Sequence, residues 1–389
     1  MRFIHMADVH FDGPFTVTTD RRNFVERRSL EQREAFRKAI KYINDENIPY
    51  LFIAGDLYDQ NYIRKSTIEF INDEFKKIKN TKIFITPGNH DPFLKNSFYN
   101  TFNWNNNVKI FKDKIEIIEL DDIDIYGYGF SDFYCANSGV ENIKIKNKNK
   151  INILIVHGAL DSSKKIDLNY NPISSSKLKE IGFDYVALGH IHKRIDNNKY
   201  NFIYPGSMTS SGFDELGEHG MLDVILEKNN NKNKLENNLN INNNSSNKIN
   251  NDLNKKLIKN NELIKINFIK LDNREFEELE VDISEINSEE ELIEKINLLK
   301  INKNNFYKIK LIGKKNININ KNKICKLVNN ENILKIKDKT EIKYNLEELI
   351  KQKNLKGIYI KKLFEKLNDS NFDEETVRKI IEIGLEAFE

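Results

Sequence analysis

Residues 3–10 read FIHMADVH, a short apolar run that ends in an Asp-x-His motif. The run has the length of a buried strand, and its polar residues follow at the carboxyl end. The same arrangement recurs at residues 50–59 (YLFIAGDLYD) and 82–91 (KIFITPGNHD). Between these runs, apolar residues recur at helical spacing over Leu30–Asn47 and Ile63–Ile78. The alternation of strands and helices predicts an α/β architecture.

Further apolar runs extend this pattern along the chain. They predict strands at Ile123–Gly127, Ile153–Val156, Tyr185–Leu188, Phe202–Tyr204, Met221–Leu226, Leu263–Leu271 and Phe276–Ile283. We expect Met221–Leu226 and Leu263–Leu271 to form a long hairpin. The rest of the chain mixes helical and strand patterns and ends with predicted helices at Leu355–Leu367 and Glu374–Phe388.

One segment interrupts the pattern and defines the predicted domain organisation. Residues 228–261 contain 16 Asn in 34 positions, a composition too polar to offset the entropy of ordering the chain. We therefore predict a flexible insertion within a first domain of residues 1–283. A smaller α+β domain is predicted for residues 284–389.

Composition excludes several classes of protein. No apolar run approaches the ~18 residues of a membrane span, and a cytoplasmic protein is expected. The two cysteines, Cys135 and Cys325, match no disulfide or zinc-finger spacing. No G-x-x-x-x-G-K-[ST] loop occurs, so the chain is not expected to be an ATPase. The net charge of +3 arises from the insertion, so global charge does not indicate nucleic-acid binding.

Five short motifs carry the predicted chemistry, and each follows an apolar strand. They contain Asp8 and His10, then Asp56, Asn89, His157, and finally His190 and His192. Because ligands collect at the carboxyl ends of strands in α/β folds, five distant segments can converge on one point. Asp8 and His10 are alternate residues, as are His190 and His192. In an extended strand, each pair would point the same way.

The mixed nitrogen and oxygen donors suit particular metals. Imidazole, carboxylate and amide donors favour manganese, iron or zinc over calcium or magnesium. Seven ligands are too many for one zinc-like ion, and they suit two divalent ions that share a bridging carboxylate. Ions ~3.5–4 Å apart clamp the attacking and leaving oxygens of phosphoryl substrates. Glycines beside these motifs, including Gly55 and Gly88, are expected to let the backbone turn sharply.

The ordered motifs Asp-x-His, Gly-Asp, Gly-Asn-His-Asp, His-Gly and Gly-His-x-His resemble the calcineurin-like metallophosphoesterases. The stretches FIHMADVHFDGPF, LFIAGDLYDQ and YPGSM resemble the SbcD-type DNA repair exonucleases within that superfamily. ELGEHG at residues 215–220 and GLEAF at residues 384–388 are similar to the YhaO branch. The resemblance implies a four-layer αββα sandwich with two manganese-like ions.

The resemblance also implies roles for the individual residues. Asp8, His10 and His192 would hold one ion, Asn89, His157 and His190 the other, and Asp56 would bridge them. His90 would stabilise the transition state or act as a general acid, and Asp91 would orient His90.

A metal-dependent DNA exonuclease, with endonuclease activity left open, is therefore the expected function. A phosphatase or phosphodiesterase acting on a small molecule or phosphoprotein uses the same metals and is the alternative. The metal motifs alone do not separate the two classes, and a non-catalytic scaffold is disfavoured by the complete motif set. The nuclease resemblance implies DNA as substrate and an SMC-like ATPase as partner, with a homodimer left open.

Other polar residues have less specific interpretations. His5 is expected to be a satisfied core residue, and His219 a solvent-exposed one. For Asp12 and Asp59, a loop-capping role competes with catalysis. Arg21, Arg22, Arg27 and Arg28 form a basic run that either contacts phosphates or begins a solvated helix.

Overall fold

The computed structural model describes residues 1–17, 23–161, 169–196, 201–228, 254–259, 262–315, 317, 319–342, 349–365, 380–381 and 383–385. The chain divides into two compact units, Met1–Phe276 and Glu277–Glu389. The predicted boundary after residue 283 therefore moves to Phe276. The reason is that the strand Phe276–Asp282 joins the sheet of the second unit, although its apolar pattern alone suits either unit.

Two sheets form the centre of the first unit. The first sheet has the strand order Asn254–Lys259, Glu262–Lys270, Gly220–Lys228, Arg2–Met6, Tyr50–Ala54, Lys82–Thr86 and Val108–Ile110. The second has the order Ile195–Asp196, Phe202–Tyr204, Tyr185–Gly189, Ile151–His157, Ile123–Tyr128 and Glu116–Glu119. A short parallel pair, Ala159–Leu160 with Pro172–Ile173, lies apart from both.

Parallel strands at the middle of each sheet bring several loops to the same edge. In the first sheet, Arg2–Met6, Tyr50–Ala54 and Lys82–Thr86 are parallel neighbours. In the second, Ile151–His157 and Tyr185–Gly189 are parallel neighbours. Because parallel strands end on the same side, the loops after these five strands are available for one site.

The two sheets pack face to face and carry helices on their outer faces. The layer between them is built from buried side chains of both sheets, including Phe3, Phe52, Phe84, Ile153 and Tyr185. The helices Phe24–Asp45 and Lys65–Lys77 cover the first sheet. The helix Ser175–Ile181 and the 3₁₀ helix Val140–Asn142 cover the second. This αββα arrangement confirms the predicted fold class.

The long first helix begins earlier than its apolar pattern predicts. It spans Phe24–Asp45, whereas the apolar spacing starts only at Leu30. The reason is that two polar residues occupy the buried face. Arg28 is fully buried and pairs with Asp272, while Gln32 donates to the carbonyl of Val9. The helix thereby supports the loop that carries Asp8 and His10.

The predicted long hairpin is present, with an additional strand at its edge. Gly220–Lys228 pairs antiparallel with Glu262–Lys270, and Asn254–Lys259 pairs with the other side of Glu262–Lys270. Within the predicted flexible insertion, Asn254–Lys259 therefore forms an edge strand instead. Composition does not reveal that a neighbouring edge strand offers unpaired backbone groups to such a segment. Residues 229–253 and 260–261 lie outside the described residues.

The second unit has its own α+β core. Its main sheet contains Phe276–Asp282, Phe306–Ile312 and Ile333–Asp338, with a smaller pair formed by Lys314–Lys315 and Glu341–Ile342. Helices Glu289–Asn297 and Lys321–Leu327 contribute Leu292 and Ile324 to the core beside the main sheet. The described helix Leu355–Glu365 begins where predicted. Most of the predicted helix Glu374–Phe388 lies outside the described residues.

The described part of the first unit also contains a short helix, Phe98–Thr101. In the described parts of the chain, no helix has both the length and the apolar character needed to cross a membrane.

Candidate metal centre

The predicted ligands come together where the central strands of both sheets end. Asp8, Asp56 and Asn89 follow three neighbouring strands of the first sheet. His157 is the last residue of its strand in the second sheet, and His190 follows the neighbouring strand. The carboxyl edges of the two sheets therefore provide a common site, as the motif order predicts.

The local backbone differs from the extended geometry expected for the Asp-x-His motif. Asp8 and His10 have φ values of 50° and 53°, and Asp56 and His190 have values of 53° and 104°. Such positive φ values cost non-glycine residues of order 1–3 kcal/mol each. Hydrogen bonds from Asp8 N to Gly55 O (3.1 Å) and from His10 N to Asp56 O (2.9 Å) join the two loops. Strand alternation therefore does not explain why Asp8 and His10 converge. They converge because hydrogen bonds hold their loop against the loop that carries Asp56.

Two glycines fit this backbone for different reasons. Gly55 has a φ of +88°, which supports the expected sharp turn. Gly88 is required by close approach, because a Cβ there would lie 2.3 Å from Oδ1 of Asp56.

One group of candidate ligands consists of Asp8, His10 and His192, whose donor atoms lie within 4.8 Å of one another. The Nε2 atoms of His10 and His192 are 3.1 Å apart. Two imidazole nitrogens this close must share a proton or face a common cation. The chemistry of this donor set fits a divalent metal ion.

Asp56 lies between this group and a second one. Its Oδ2 is 3.6 Å from His10 Nε2 and 3.2 Å from His157 Nε2. The Nδ1 of His157 faces the carbonyl of Ala54 at 3.0 Å and must donate to it. This hydrogen bond directs Nε2 toward Asp56 and toward Oδ1 of Asn89, which is 2.9 Å away. The position of Asp56 suits the predicted bridging role.

His190 lies beside this second group. Its ring centroid is 5.2 Å from that of His157, and its backbone N–H donates to the Asp8 carboxylate at 3.0 Å. Among the described residues, its ring nitrogens do not join Asp, Glu or other His side chains in a three-residue donor group. Its role as a ligand stays a prediction.

The buried charges of the centre strongly shift its pKa values. Burial opposes protonation of His157, but the Asp56 carboxylate outweighs it and raises the pKa of His157 to about 9. Burial likewise opposes protonation of His192, but Glu215 and Asp8 raise its pKa to about 9. For Asp56, burial favours the neutral acid, but His157 and His10 hold its pKa well below the usual value. In this site, the positive charge of protonated histidines neutralises the buried carboxylates. A bound metal ion would neutralise them in the same way.

Metal binding is expected to release protons and to strengthen as the pH rises toward 9. With pKa values of about 9, His157 and His192 are protonated at neutral pH, and a metal ligand must be neutral. Calorimetric titration with Mn²⁺ in buffers of different ionisation enthalpy measures the released protons between pH 6.5 and 9. A proton count of zero across this range would contradict the assignment of both histidines as ligands.

Glu215 is a functional candidate that the sequence interpretation missed. Its Oε1 accepts from His192 Nδ1 at 2.6 Å, and its Oε2 accepts from Ser207 Oγ at 3.0 Å. The carboxylate therefore holds the imidazole of His192 with Nε2 turned toward His10. The only sequence signal was its position in the ELGEHG stretch, which indicates a branch of a family but no chemistry.

Glu215→Gln is expected to weaken metal affinity about 10- to 100-fold, because carboxylates that orient ligating histidines have effects of this size. The dissociation constant for Mn²⁺ measures the loss. The neighbouring Asp214→Asn is the matched control, since Asp214 accepts from Thr16 and makes no contact with His192 among the described hydrogen bonds. Equal affinities for the Glu215→Gln and Asp214→Asn proteins would exclude the orienting role.

His90 lies at the mouth of the centre, with 46% of its side chain exposed. Its ring centroid is 4.7 Å from that of His10, and its Nδ1 is 3.1 Å from Oδ2 of Asp59. The hydrogen bond to Asp59 raises the pKa of His90 above its usual value. The raised pKa favours the protonated imidazole, the form that can donate a proton, which supports the predicted catalytic role.

Asp91 does not orient His90, so this prediction is wrong. Its carboxylate accepts from the backbone N–H groups of Asp56, Leu57 and Gly88 and from the hydroxyl of Tyr99. Asp91 is fully buried and fixes the loop that presents Asp56. The partner of His90 is Asp59, which comes from a different loop.

The other polar predictions have mixed outcomes. His5 is fully buried between the Tyr185 hydroxyl and the Leu188 carbonyl, which confirms its core role. His219 is also buried, contrary to prediction, because it contacts Ser207 and the Glu215 carbonyl.

Two further charged residues, Asp12 and Arg28, have structural roles. Asp12 accepts from Arg64 N and Thr67 Oγ1 at the start of the helix Lys65–Lys77, which confirms a capping role. Arg28 is buried, so neither phosphate contact nor a solvated helix start applies to it. Arg21 and Arg22 lie outside the described residues.

A pocket of about 260 Å³ opens over the first ligand group. Its walls include Asp8, His10, His192, His90, Asp59, Phe15 and Glu215. The pocket gives a substrate access to the candidate ligands and to His90 together.

Comparison with known families identifies the domain that carries this site. Residues 1–194 match the calcineurin-like phosphoesterase family. This part of the chain is a calcineurin-like metallophosphoesterase domain. The metallophosphoesterases are hydrolases that use divalent metals, in agreement with the donor groups of the site. The family assignment confirms the resemblance seen in the motifs.

Two curated relatives match this chain at modest identity. An uncharacterized metallophosphoesterase, YhaO of Bacillus subtilis, is 29% identical over 237 residues, which are 57% of this chain and 56% of the relative. One subunit of the nuclease SbcCD, from Staphylococcus epidermidis, is 26% identical over 266 residues, which are 59% of this chain and 67% of the relative. The chain thus spans little more than half of the Bacillus relative.

Solved structures with similarity include a dimetal phosphatase from Danio rerio. It has a TM-score of 0.31 and 10% identity, over 58% of this chain and 92% of that chain.

Proposed function

We propose that this metallophosphoesterase is a metal-dependent DNA nuclease that hydrolyses phosphodiester bonds at DNA ends or hairpins. The observation that carries the hydrolytic part is the position of His90. A half-exposed imidazole, paired with Asp59, lies beside the candidate ligands at the mouth of the pocket. Two divalent ions in this centre, manganese by preference and iron or zinc as alternatives, would supply Lewis-acid activation of the phosphoryl group.

The side chains of this chain have distinct tasks in the proposed reaction. Asp8, His10 and His192 hold one side of the centre, Asn89, His157 and His190 hold the other, and Asp56 links them. His90 donates a proton to the oxygen that leaves the phosphorus atom. The hydrogen bond between His90 Nδ1 and Asp59 raises the pKa of His90 and so favours the protonated imidazole.

The nuclease part of the proposal is supported by one relative and by local sequence. The staphylococcal relative is named as a nuclease subunit. The stretches around Asp8 and Asp56 resemble the same group. Both observations favour DNA over a phosphoprotein or a small molecule as the substrate.

The decisive experiment is digestion of labelled DNA with added Mn²⁺. Linear, hairpin and circular DNA, labelled at the 5′ or the 3′ end, are compared with methyl p-nitrophenyl phosphate as a general phosphodiester. We expect cleavage of linear or hairpin DNA that requires metal and is lost on EDTA treatment. Lys82→Ala, an exposed substitution at the amino end of the strand Lys82–Thr86 and opposite the strand ends that carry the candidate ligands, serves as the control. Hydrolysis of the small ester without cleavage of any DNA would favour the phosphodiesterase alternative instead.

We also propose that an SMC-like ATPase acts with this chain, because the staphylococcal relative is one subunit of a larger nuclease. The chain has no phosphate-binding G-x-x-x-x-G-K-[ST] loop of its own. A co-purified complex is expected to show ATP-stimulated cleavage that the isolated chain lacks. Cleavage by the complex that does not respond to ATP would contradict this partnership.

A further inference from the structure

Two tyrosines extend the metal centre outward from His190. The Tyr170 ring centroid lies 5.2 Å from that of His190, with 38° between the ring planes. The Tyr134 ring follows at 5.9 Å from Tyr170, with 31° between the planes. Tyr134 is 63% exposed, so a largely solvent-exposed aromatic ring ends a row that begins at a candidate ligand.

The loops that carry these rings are fixed to each other by backbone hydrogen bonds. Cys135 N donates to Asn169 O at 2.8 Å, and Asn171 N donates to Cys135 O at 2.6 Å. These bonds flank Tyr134 and Tyr170 in the sequence and hold the two rings side by side.

The same loop is also fixed to the metal centre. Asn171 Nδ2 donates to the backbone carbonyl of His157 at 2.8 Å, and Ala159 N donates to Tyr170 O at 3.1 Å. The backbone segment that carries Tyr170 therefore has a defined position relative to His157.

An exposed aromatic ring on a hydrogen-bonded backbone segment beside a phosphoester site suits one kind of ligand group. The π face of a nucleobase stacks on tyrosine with little dependence on base identity, and such stacking supports binding of single-stranded nucleic acid. We propose that Tyr134 and Tyr170 form a stacking surface for a nucleobase next to the phosphate that is cleaved. This inference rests on the proposed nuclease function and specifies how the substrate is held.

The proposal predicts a role in substrate choice that differs from a purely structural one. If Tyr170 only supports the His190 ring and Tyr134 only covers Tyr170, their loss affects every phosphodiester equally. If they stack on a base, their loss selectively affects substrates that carry a base. Two esters with the same leaving group separate these cases: the p-nitrophenyl ester of thymidine 5′-phosphate and methyl p-nitrophenyl phosphate.

The experiment compares wild type, Tyr134→Ala and Tyr134→Phe with added Mn²⁺. The measured quantity is the ratio of kcat/KM for the thymidine ester to that for the methyl ester. Tyr134→Ala is expected to lower this ratio about 5- to 150-fold, the range of one base–aromatic stack. Tyr134→Phe keeps the ring and is expected to restore the ratio. Because Tyr134 is exposed, neither substitution removes a core side chain.

A binding measurement without catalysis gives an independent readout. In EDTA, the anisotropy of a fluorescein-labelled oligothymidylate reports binding while hydrolysis is blocked. The dissociation constant is expected to rise by a similar factor for Tyr134→Ala and to stay near wild type for Tyr134→Phe. An unchanged ratio and an unchanged dissociation constant for Tyr134→Ala would overturn the stacking surface.

The outcome for the stacking surface is separable from that for the nuclease. If the wild type cleaves DNA and the ratio of kcat/KM values for the two esters is unchanged in Tyr134→Ala, the nuclease proposal is retained and the stacking surface is rejected. Failure to cleave DNA, with a lowered ester ratio in Tyr134→Ala, rejects the nuclease and keeps a base-binding surface for nucleotide substrates. Equal losses in Tyr134→Ala and Tyr134→Phe would also reject stacking, because the ring is retained in the second protein.

Discussion

Asp56→Asn is expected to lose at least one of the two metal ions and to lose hydrolysis with it. Asp56 is almost completely buried, and its Oδ2 faces both His10 Nε2 and His157 Nε2. A neutral amide leaves the buried His157 without its main anionic partner and two cations without a shared counter-charge. The amide oxygen still accepts from His90 N, the bond that Oδ1 now makes, so the loop is retained. The number of bound metal ions per chain, measured by elemental analysis, is expected to fall from two to one or none.

The control for this substitution is Asp12→Asn, at a nearby aspartate that caps a helix. The Asp12→Asn protein should keep its metal content. The Asp56→Asn protein should lose metal, while the melting transition of its second unit stays unchanged. A stoichiometry of two ions in Asp56→Asn would show that another group bridges the centre.

His90→Asn is expected to keep the metal and lower kcat by about 10²–10⁴-fold, the usual contribution of a positioned acid or base. The side chain is half-exposed, and its Nδ1 is held by Asp59, so its loss removes a proton donor without opening the buried ligand cluster. Single-turnover cleavage of a phosphodiester measures the rate, and elemental analysis measures the metal content. Loss of metal from this protein would make His90 a ligand.

Asp59→Asn tests the same mechanism through the pH dependence. The hydrogen bond to Asp59 raises the pKa of His90, and a proton donor is active only below its pKa. Removing the carboxylate lowers that pKa, so the alkaline fall of kcat should move to lower pH while metal content is unchanged. An identical pH profile for Asp59→Asn and wild type would contradict the pairing.

The strands that position the site were predictable because their apolar runs are short and sharply bounded. Tyr50–Ala54 and Lys82–Thr86 coincide with the apolar runs that open the stretches 50–59 and 82–91. The first helix was less predictable, because Arg28 occupies its buried face and interrupts the apolar spacing. The buried Arg28 forms an ion pair with Asp272, which lies far along the chain. A local sequence pattern cannot predict such a distant ion pair.

The candidate ligands were predictable as a set, whereas the groups that orient them were not. Repeated motifs after strands indicate which side chains meet, since the topology brings strand ends together. Asp59 contacts His90 across 31 residues, and Glu215 contacts His192 across 23. Those contacts depend on which loops face each other, and the neighbouring Asp91 was therefore wrongly chosen as the partner of His90.

The backbone of the centre links metal binding to folding. Four of the predicted ligands, Asp8, His10, Asp56 and His190, hold positive φ angles that non-glycine residues adopt at a cost. An ion that binds only the folded chain adds about 2.7 kcal/mol of stability at a hundredfold excess over its dissociation constant. That gain is comparable to the strain of one or two of these residues. The melting temperature of the first unit should therefore rise with each ion according to its affinity, which makes thermal denaturation a direct ranking of manganese, iron and zinc.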